Sequence, residues 1–126
     1  AAAKNLTPVT LELGGKSPVL VLADADLDVT ARRIAWTKLL NSGQTCIAPD
    51  YAVVPAKRLN AFVEKLAETV ARFYPTLAAN PDYTAIINER HYKRITGLVA
   101  DAKRKGATVI ELNAASEKHI AMRWSS

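Results

Sequence analysis

The sequence predicts an α/β domain with a three-layer α/β/α arrangement and a mainly parallel sheet. Short apolar, β-branched segments alternate along the chain with longer segments whose apolar residues recur every three or four positions. Each connection between successive predicted strands is long enough for a crossover. At 126 residues, 49% of them hydrophobic, the chain has the size of one domain or of one piece of a larger one, with enough apolar material for a core.

The first third of the chain contains two predicted strands and a helix. Apolar residues alternate with polar ones over Val9–Leu13, and this predicted strand ends at Gly14-Gly15. The continuous apolar run Pro18–Leu22 predicts a strand buried on both faces, as in a parallel sheet. Capping carboxylates, including Asp26, then introduce a helix predicted over Leu27–Leu40.

The remainder of the chain repeats this alternation. Tyr51–Val54 is a short predicted strand, and a strong apolar stripe predicts a helix from Leu59 to Phe73, stopped by the proline at position 75. A further helix is predicted over Glu89–Lys105, followed by a last strand over Thr108–Leu112. Apolar residues in 113–126 follow neither the helical nor the strand spacing, so no structure is predicted there.

Composition and charge exclude several classes of function. The net charge of +5 comes from small basic groups within helical patterns, which indicates solvated helix faces and no nucleic-acid partner. No apolar run reaches the length of a membrane span, and one cysteine cannot form an intramolecular disulfide, so we expect a soluble, reducing, cytoplasmic location. His91 and His119 are isolated and no ligand spacing is found, so no metal is expected.

Two residues are candidates for chemistry. Cys46 follows a glycine-led connection, Gly43-Gln44-Thr45, where backbone N–H groups can turn towards a reacting atom. A single cysteine is also commonly a small buried hydrophobe. Glu12 lies in the polar phase of a predicted strand at its glycine-bounded end, where an ordinary exposed carboxylate is the more common case. Taken one at a time, neither residue defines an active site.

Together with their surroundings, these two residues carry a family resemblance. The segment Val9-Thr-Leu-Glu-Leu-Gly-Gly-Lys-Ser-Pro18, with Cys46 following Glu12 by 34 residues, resembles the paired signatures of the aldehyde dehydrogenase superfamily. The segments at 40–51 and 80–88 look most like its coniferyl-aldehyde dehydrogenase branch. The resemblance implies a partial catalytic domain over residues 1–112, with 113–126 as an unmatched tail.

The resemblance also implies a reaction. An aldehyde, with coniferyl-like aromatic aldehydes among the candidates, would be oxidised to the acid with NAD or NADP as cofactor. Cys46 would be the nucleophile that forms a thioester, its backbone N–H would help to hold the oxyanion, and Glu12 would be the general base for hydrolysis. Gly14 and Gly15 would let backbone approach the site without a Cβ in the way.

Parts of the family pattern are not found in these 126 residues. The dinucleotide-binding domain, the asparagine of the oxyanion hole and the motif that contacts the nicotinamide ribose are among them, so the cofactor-binding residues stay unassigned. We therefore expect the chain alone to be inactive and to form a homo-oligomer or associate through exposed apolar surface. Two alternatives stay open: a non-catalytic folding or interaction fragment, and a slow, cofactor-free esterase that uses Cys46.

Overall fold

The computed structural model describes residues 2–76 and 80–112. Strands and helices alternate in this part of the chain in the order β1 (Ser17–Leu20), α1 (Leu27–Leu39), β2 (Pro49–Val53), α2 (Leu59–Phe73) and α3 (Glu89–Arg104). β1 and β2 form a parallel pair, and α1 lies in the crossover between them. The predicted α/β class with a parallel sheet is thus confirmed.

The strand pair joins the two regions that carry the candidate residues. Pro18 pairs with Tyr51 and Leu20 with Val53, with an irregularity in the register between residues 17 and 18. The Val21 N–H extends the ladder by donating to the carbonyl oxygen of Val53 at 3.0 Å. Because the strands are parallel, the segments that precede β1 and β2 meet at the same edge of the sheet.

Helix α1 begins and packs as its sequence predicts. The Asp26 carboxylate accepts a hydrogen bond from the Val29 N–H at 3.0 Å, which satisfies one of the free donors in the first turn. Ala31 and Ala35 are almost completely buried, and the small side chains permit close packing against α2. The predicted end at Leu40 differs from the observed end at Leu39 by one residue.

Helix α2 forms where the apolar stripe predicts a helix and supplies the main apolar face. Phe62 and Val70 are buried on the predicted stripe, and Thr69 is buried beside them. The preceding turn contains Arg58, whose Nη1 donates to the carbonyl oxygens of Leu22, Ala23 and Ala25 at 3.2, 2.8 and 2.8 Å. This arginine therefore fixes the connection between β1 and α1, a role that its place in the helical pattern does not indicate.

Helix α3 has the predicted bounds to within one residue but packs differently from expectation. The Asn88 side chain caps it by accepting from the His91 N–H at 3.0 Å, and Gly106 follows its end with a φ of +85°. No residue of α3 is buried, and Leu98 on the predicted apolar stripe is 57% exposed. Among the described residues, the stripe of α3 thus has no covering element.

Two predicted strands are wrong. Residues 9–13 and 108–112 have no regular secondary structure. An alternating pattern gives a strand only where a neighbouring strand supplies backbone donors and acceptors. Among the described residues the sheet consists of β1 and β2, and no ladder hydrogen bond joins residues 9–13 or 108–112 to it. Glu12 consequently lies on an irregular segment and not on a strand.

The burial predicted for the Pro18–Leu22 run is also wrong, since only one side of the strand pair is covered. Val21 is buried, whereas Leu20, Leu22 and Val53 are 70, 65 and 55% exposed. The described helices leave this side of the pair open, because α1 and α2 pack on each other and α3 contacts neither strand. We call the side chains of Leu20, Leu22 and Val53 the open sheet face.

The predicted tail, residues 113–126, lies outside the described part of the chain. Within the described part, none of the helices combines the length and apolarity needed to cross a bilayer.

Candidate active site

Both candidate catalytic residues lie on segments that lead into the strand pair. Glu12 lies on the irregular segment before β1, and Cys46 lies in the turn before β2. Both side chains are exposed, and Cys46 is a free thiol. The parallel pairing therefore brings the two segments to the same, amino-terminal edge of the sheet.

Gly15 makes the closest approach between the two segments. A Cβ added at Gly15 would lie 2.2 Å from the carbonyl oxygen of Cys46 and 3.2 Å from its carbonyl carbon. Only a residue without a side chain fits against this carbonyl, so the expectation that Gly15 permits close backbone approach is confirmed. Gly14 differs, because no atom lies within 4 Å of the corresponding Cβ position; its φ of +110° is what favours glycine there.

A second link between the segments is an ion pair. Lys16 Nζ lies 3.0 Å from Asp50 Oδ2, one residue beyond the start of β2. The lysine side chain is largely exposed, so the pair contributes at most about 1 kcal/mol to stability. Because Lys16 directly follows Gly15, the ion pair gives the segment that contains Glu12 a second attachment to the chain just after Cys46.

The backbone that leads into Cys46 makes a left-handed turn. Asn41, Ser42 and Gly43 follow one another with φ angles of 52, 54 and 75°. Glycine adopts this region freely, but a residue with a Cβ costs roughly 1–2 kcal/mol there. Two consecutive non-glycine residues in this conformation need contacts from elsewhere in the fold to hold them.

Those contacts come from the segment 84–87. The Ser42 hydroxyl donates to the Thr84 carbonyl oxygen. The Gln44 side chain donates from Nε2 to the carbonyl oxygen of Ala85 at 3.2 Å, and its Oε1 accepts from the Ile87 N–H at 3.0 Å. Gln44 Nε2 also donates to the Asn41 carbonyl oxygen at 3.0 Å. A single glutamine therefore joins the left-handed turn to a segment some forty residues further along the chain.

Tyr83 packs beside this network. Its ring is 5% exposed and meets Tyr74 edge to face, with 5.0 Å between the ring centroids. Burial raises the pKa of the Tyr83 phenol above its ordinary value, and a hydrogen bond with the Ser42 side chain opposes that rise. Ser42 thus contacts both the buried tyrosine and the backbone that follows it.

The turn at Cys46 leaves a backbone donor available. The Thr45 carbonyl oxygen accepts from the Ala48 N–H at 3.0 Å, which closes the turn around Cys46. Within residues 2–76 and 80–112, no acceptor is hydrogen-bonded to the N–H of Cys46 itself. The same residues contain no group of three or more His, Cys, Asp or Glu side chains placed to hold a metal ion.

Sequence reasoning did not assign roles to several of these residues. Gln44 stands inside the segment that carries the resemblance, yet only its long-range hydrogen bonds show what it does. The same is true of Ser42 and of the pair formed by Lys16 and Asp50. No local signal identifies them, because their partners are distant in the chain.

The exposed thiol of Cys46 and the loop packed against its carbonyl oxygen make this end of the strand pair the candidate active site. The sequence profile described as "Aldehyde dehydrogenase family" matches residues 1–119. This chain therefore belongs to the aldehyde dehydrogenase family.

Individual relatives agree with that assignment. A Caulobacter vibrioides protein named "Probable coniferyl aldehyde dehydrogenase" is 53% identical over 93% of this chain and 24% of its own. "Aldehyde dehydrogenase family 3 member A2" of Mus musculus is 58% identical over 82% of this chain and 22% of its own. The chain thus spans about a quarter of the length of the curated relatives it matches.

The fold also matches solved structures of the family. The crystal structure of NADP-dependent glyceraldehyde-3-phosphate dehydrogenase from Bacillus halodurans C-125, complexed with NADP, is similar with a TM-score of 0.74 and 33% sequence identity. The match covers 93% of this chain and 24% of that one. The chain therefore has a fold similar to the corresponding part of that structure.

Proposed function

We propose that this chain is the part of an aldehyde dehydrogenase that carries its nucleophile, Cys46, and its general base, Glu12. The observation that carries the proposal is the contact of Gly15 with the Cys46 carbonyl, because it joins the two segments at one point. The parallel pairing of β1 with β2 and the ion pair of Lys16 with Asp50 support the same juxtaposition.

The chemistry follows from the residue types. The Cys46 thiolate adds to the carbonyl carbon of the aldehyde, forming a C–S bond and an oxyanion. The available backbone N–H of Cys46 suits the oxyanion, and a fixed donor of this kind can contribute about 3 kcal/mol in a dry site. After hydride is removed, a thioester is left on Cys46. Glu12 takes a proton from water, the hydroxide attacks the thioester, and the acid leaves as the thiolate is restored.

NAD or NADP, when bound, would supply the acceptor for the hydride. The exposure of Cys46 fits such a reaction, since an aldehyde carbon bonded to its sulfur would stay accessible to the dinucleotide. NADP in the similar Bacillus halodurans structure supports a nicotinamide dinucleotide, and none of the described residues of this chain is assigned to hold it.

The proposed substrate is an aldehyde, with aromatic aldehydes of the coniferyl type as the first candidates. The names of the similar proteins from Caulobacter vibrioides and other bacteria support this choice. The proposed location is the cytoplasm, where a free and exposed thiol such as that of Cys46 stays reduced.

The test is aldehyde-dependent formation of reduced dinucleotide, read by absorbance, with coniferyl aldehyde and an aliphatic aldehyde as substrates. Cys46→Ala and Glu12→Gln are compared with the wild-type chain. We expect any turnover to disappear in Cys46→Ala. Turnover that is equal in the wild type and Cys46→Ala would refute the role of the thiol.

Acyl transfer provides a test that needs no dinucleotide. An activated ester such as p-nitrophenyl acetate acylates a reactive thiol directly, so the isolated chain should show a Cys46-dependent burst of nitrophenol. Glu12→Gln should keep the burst and lose the slow release that follows, because only the second step needs the base. A burst that persists in Cys46→Ala would contradict the assignment.

We further propose that the chain self-associates through the open sheet face, with a second copy of the chain as the occupant. Three large apolar side chains, Leu20, Leu22 and Val53, are more than half exposed on one continuous surface. A symmetric pair of such faces would remove them from water at roughly 25 cal/mol per Å² of apolar area. Sedimentation at increasing concentration tests this, and a monomer at every concentration would refute it.

A further inference from the structure

We infer that the Gln44 side chain and the segment 84–87 form a clamp that positions the Cys46 turn for acyl transfer, which makes Gln44 a positioning residue. The inference rests on the proposed function, since it concerns the same nucleophile. It assigns a role to a segment that lies outside both catalytic motifs and about forty residues beyond Cys46.

The chemistry of the Gln44 amide fits this segment and no simpler side chain would. Its nitrogen has two donors and its oxygen is an acceptor, and all three are in use. The Ala85 carbonyl oxygen and the Ile87 N–H flank Ile86, and Gln44 binds both of them through one amide group. A single side chain therefore satisfies two backbone groups of this segment.

The clamp has a second point of attachment. The Ser42 hydroxyl donates to the Thr84 carbonyl oxygen, one residue before Ala85. The left-handed turn of Asn41, Ser42 and Gly43 leads into these attachments, and this conformation costs a serine roughly 1–2 kcal/mol and an asparagine less. Because an unrestrained chain would relax from this conformation, the clamp is what keeps the turn in place.

The left-handed turn also sets the direction of the Cys46 backbone. The Gln44 N–H donates to the Asn41 carbonyl oxygen at 3.0 Å, and the next turn is closed by the Ala48 N–H. Cys46 lies inside this second turn, two residues after Gln44. Its N–H direction, and thus its use as an oxyanion donor, depends on where Gln44 is held.

The ratio of two reaction rates at the Cys46 thiol distinguishes positioning of the Cys46 turn from simple exposure of the sulfur. Acylation by p-nitrophenyl acetate needs both the sulfur and an oxyanion donor, whereas alkylation by iodoacetamide needs only the sulfur. Cys46 is the one cysteine of the 126-residue sequence, so both reactions report on it alone. Amide hydrogen exchange at Ile87 reports directly on whether the clamp is closed.

The main variant is Gln44→Met, which keeps the side chain's length but has neither donors nor a strong acceptor. We expect it to speed exchange at Ile87 by at least about tenfold and to lower the ratio of acylation to alkylation by about tenfold or more. The matched control is Thr37→Ala, which removes a hydroxyl bonded to the Arg33 carbonyl in α1 and should change neither quantity.

Ser42→Gly serves where Gln44→Met fails to fold. Glycine adopts the left-handed conformation freely, so this variant removes the bond to Thr84 without adding strain. It should lower the same ratio, by a smaller factor than Gln44→Met.

The inference is overturned by either of two results. Unchanged exchange at Ile87 in Gln44→Met would mean that the clamp does not hold the segment, and faster exchange with an unchanged ratio would mean that it positions nothing. A wild-type chain without Cys46-dependent acylation refutes the proposed function alone. In that case hydrogen exchange at Ile87 decides the clamp: an unchanged rate in Gln44→Met overturns it, and a rate at least about tenfold faster supports it.

Discussion

Replacing Gly15 by alanine should disturb the active site through a single steric contact. The added Cβ would lie 2.2 Å from the Cys46 carbonyl oxygen, and the second-nearest atom, at 3.2 Å, is also backbone. Neither atom can rotate away as a side chain would. The two segments must therefore separate by roughly 1 Å before the contact reaches an ordinary distance.

The expected magnitudes follow from that displacement. Forcing extra volume into a fitted contact costs about 1–3 kcal/mol of unfolding free energy. A shift of about 1 Å at a nucleophile can lower its reactivity about 100-fold. We therefore expect Gly15→Ala to lose stability in urea unfolding and to lose most of the Cys46-dependent burst with p-nitrophenyl acetate.

Two other glycines provide matched controls. At Gly14 no atom lies within 4 Å of a Cβ, so Gly14→Ala should cost stability through its φ of +110° but leave the Cys46 burst within about twofold. At Gly97, inside α3, an added Cβ meets nothing, so alanine should raise stability by about 0.8–1 kcal/mol. If Gly15→Ala matched wild type in both stability and burst, the argued contact between the segments would be wrong.

The remaining predictions concern the thiol, the base, the buried tyrosine and the open sheet face. Cys46→Ala should abolish the ester burst, and Glu12→Gln should keep the burst but let the acylated protein accumulate, which mass spectrometry detects as an added acyl group. Because burial raises the pKa of Tyr83 above 10.0, its neutral form stabilises the fold fully below about pH 10, and this contribution is lost as pH rises through the folded pKa. Urea unfolding between about pH 9 and 11 should accordingly show a steeper loss in wild type than in Tyr83→Phe, and parallel curves would contradict this. Leu20→Lys should keep the chain monomeric in sedimentation without lowering its stability, since Leu20 is already 70% exposed; a variant that still associates would place the contact elsewhere.

The helices could be predicted from the sequence because their determinants are local. A helix bonds within itself, so a cap such as Asp26 and an apolar stripe such as that of Phe62 and Val70 specify both its position and its buried face. The apolar stripe predicts the existence and buried face of α2, and the predicted end of α1 lies within one residue of the observed end. The residues that carry the family resemblance are also local runs of sequence.

The strands and the geometry around Cys46 depended on tertiary structure. A strand needs a partner, so the alternating pattern of residues 9–13 could not reveal that the described chain offers none. The left-handed conformation of Asn41 and Ser42 is unfavourable locally and persists because Thr84, Ala85 and Ile87 hold the turn.

The sequence by itself thus determined the helices, the α/β class and the two motifs with Glu12 and Cys46. Only the tertiary structure decided that Gly15 lies against the Cys46 carbonyl and that Gln44 joins the turn to a distant segment. The physical reason is that both contacts are between residues far apart in the chain, where no local preference of either partner encodes the distance between them.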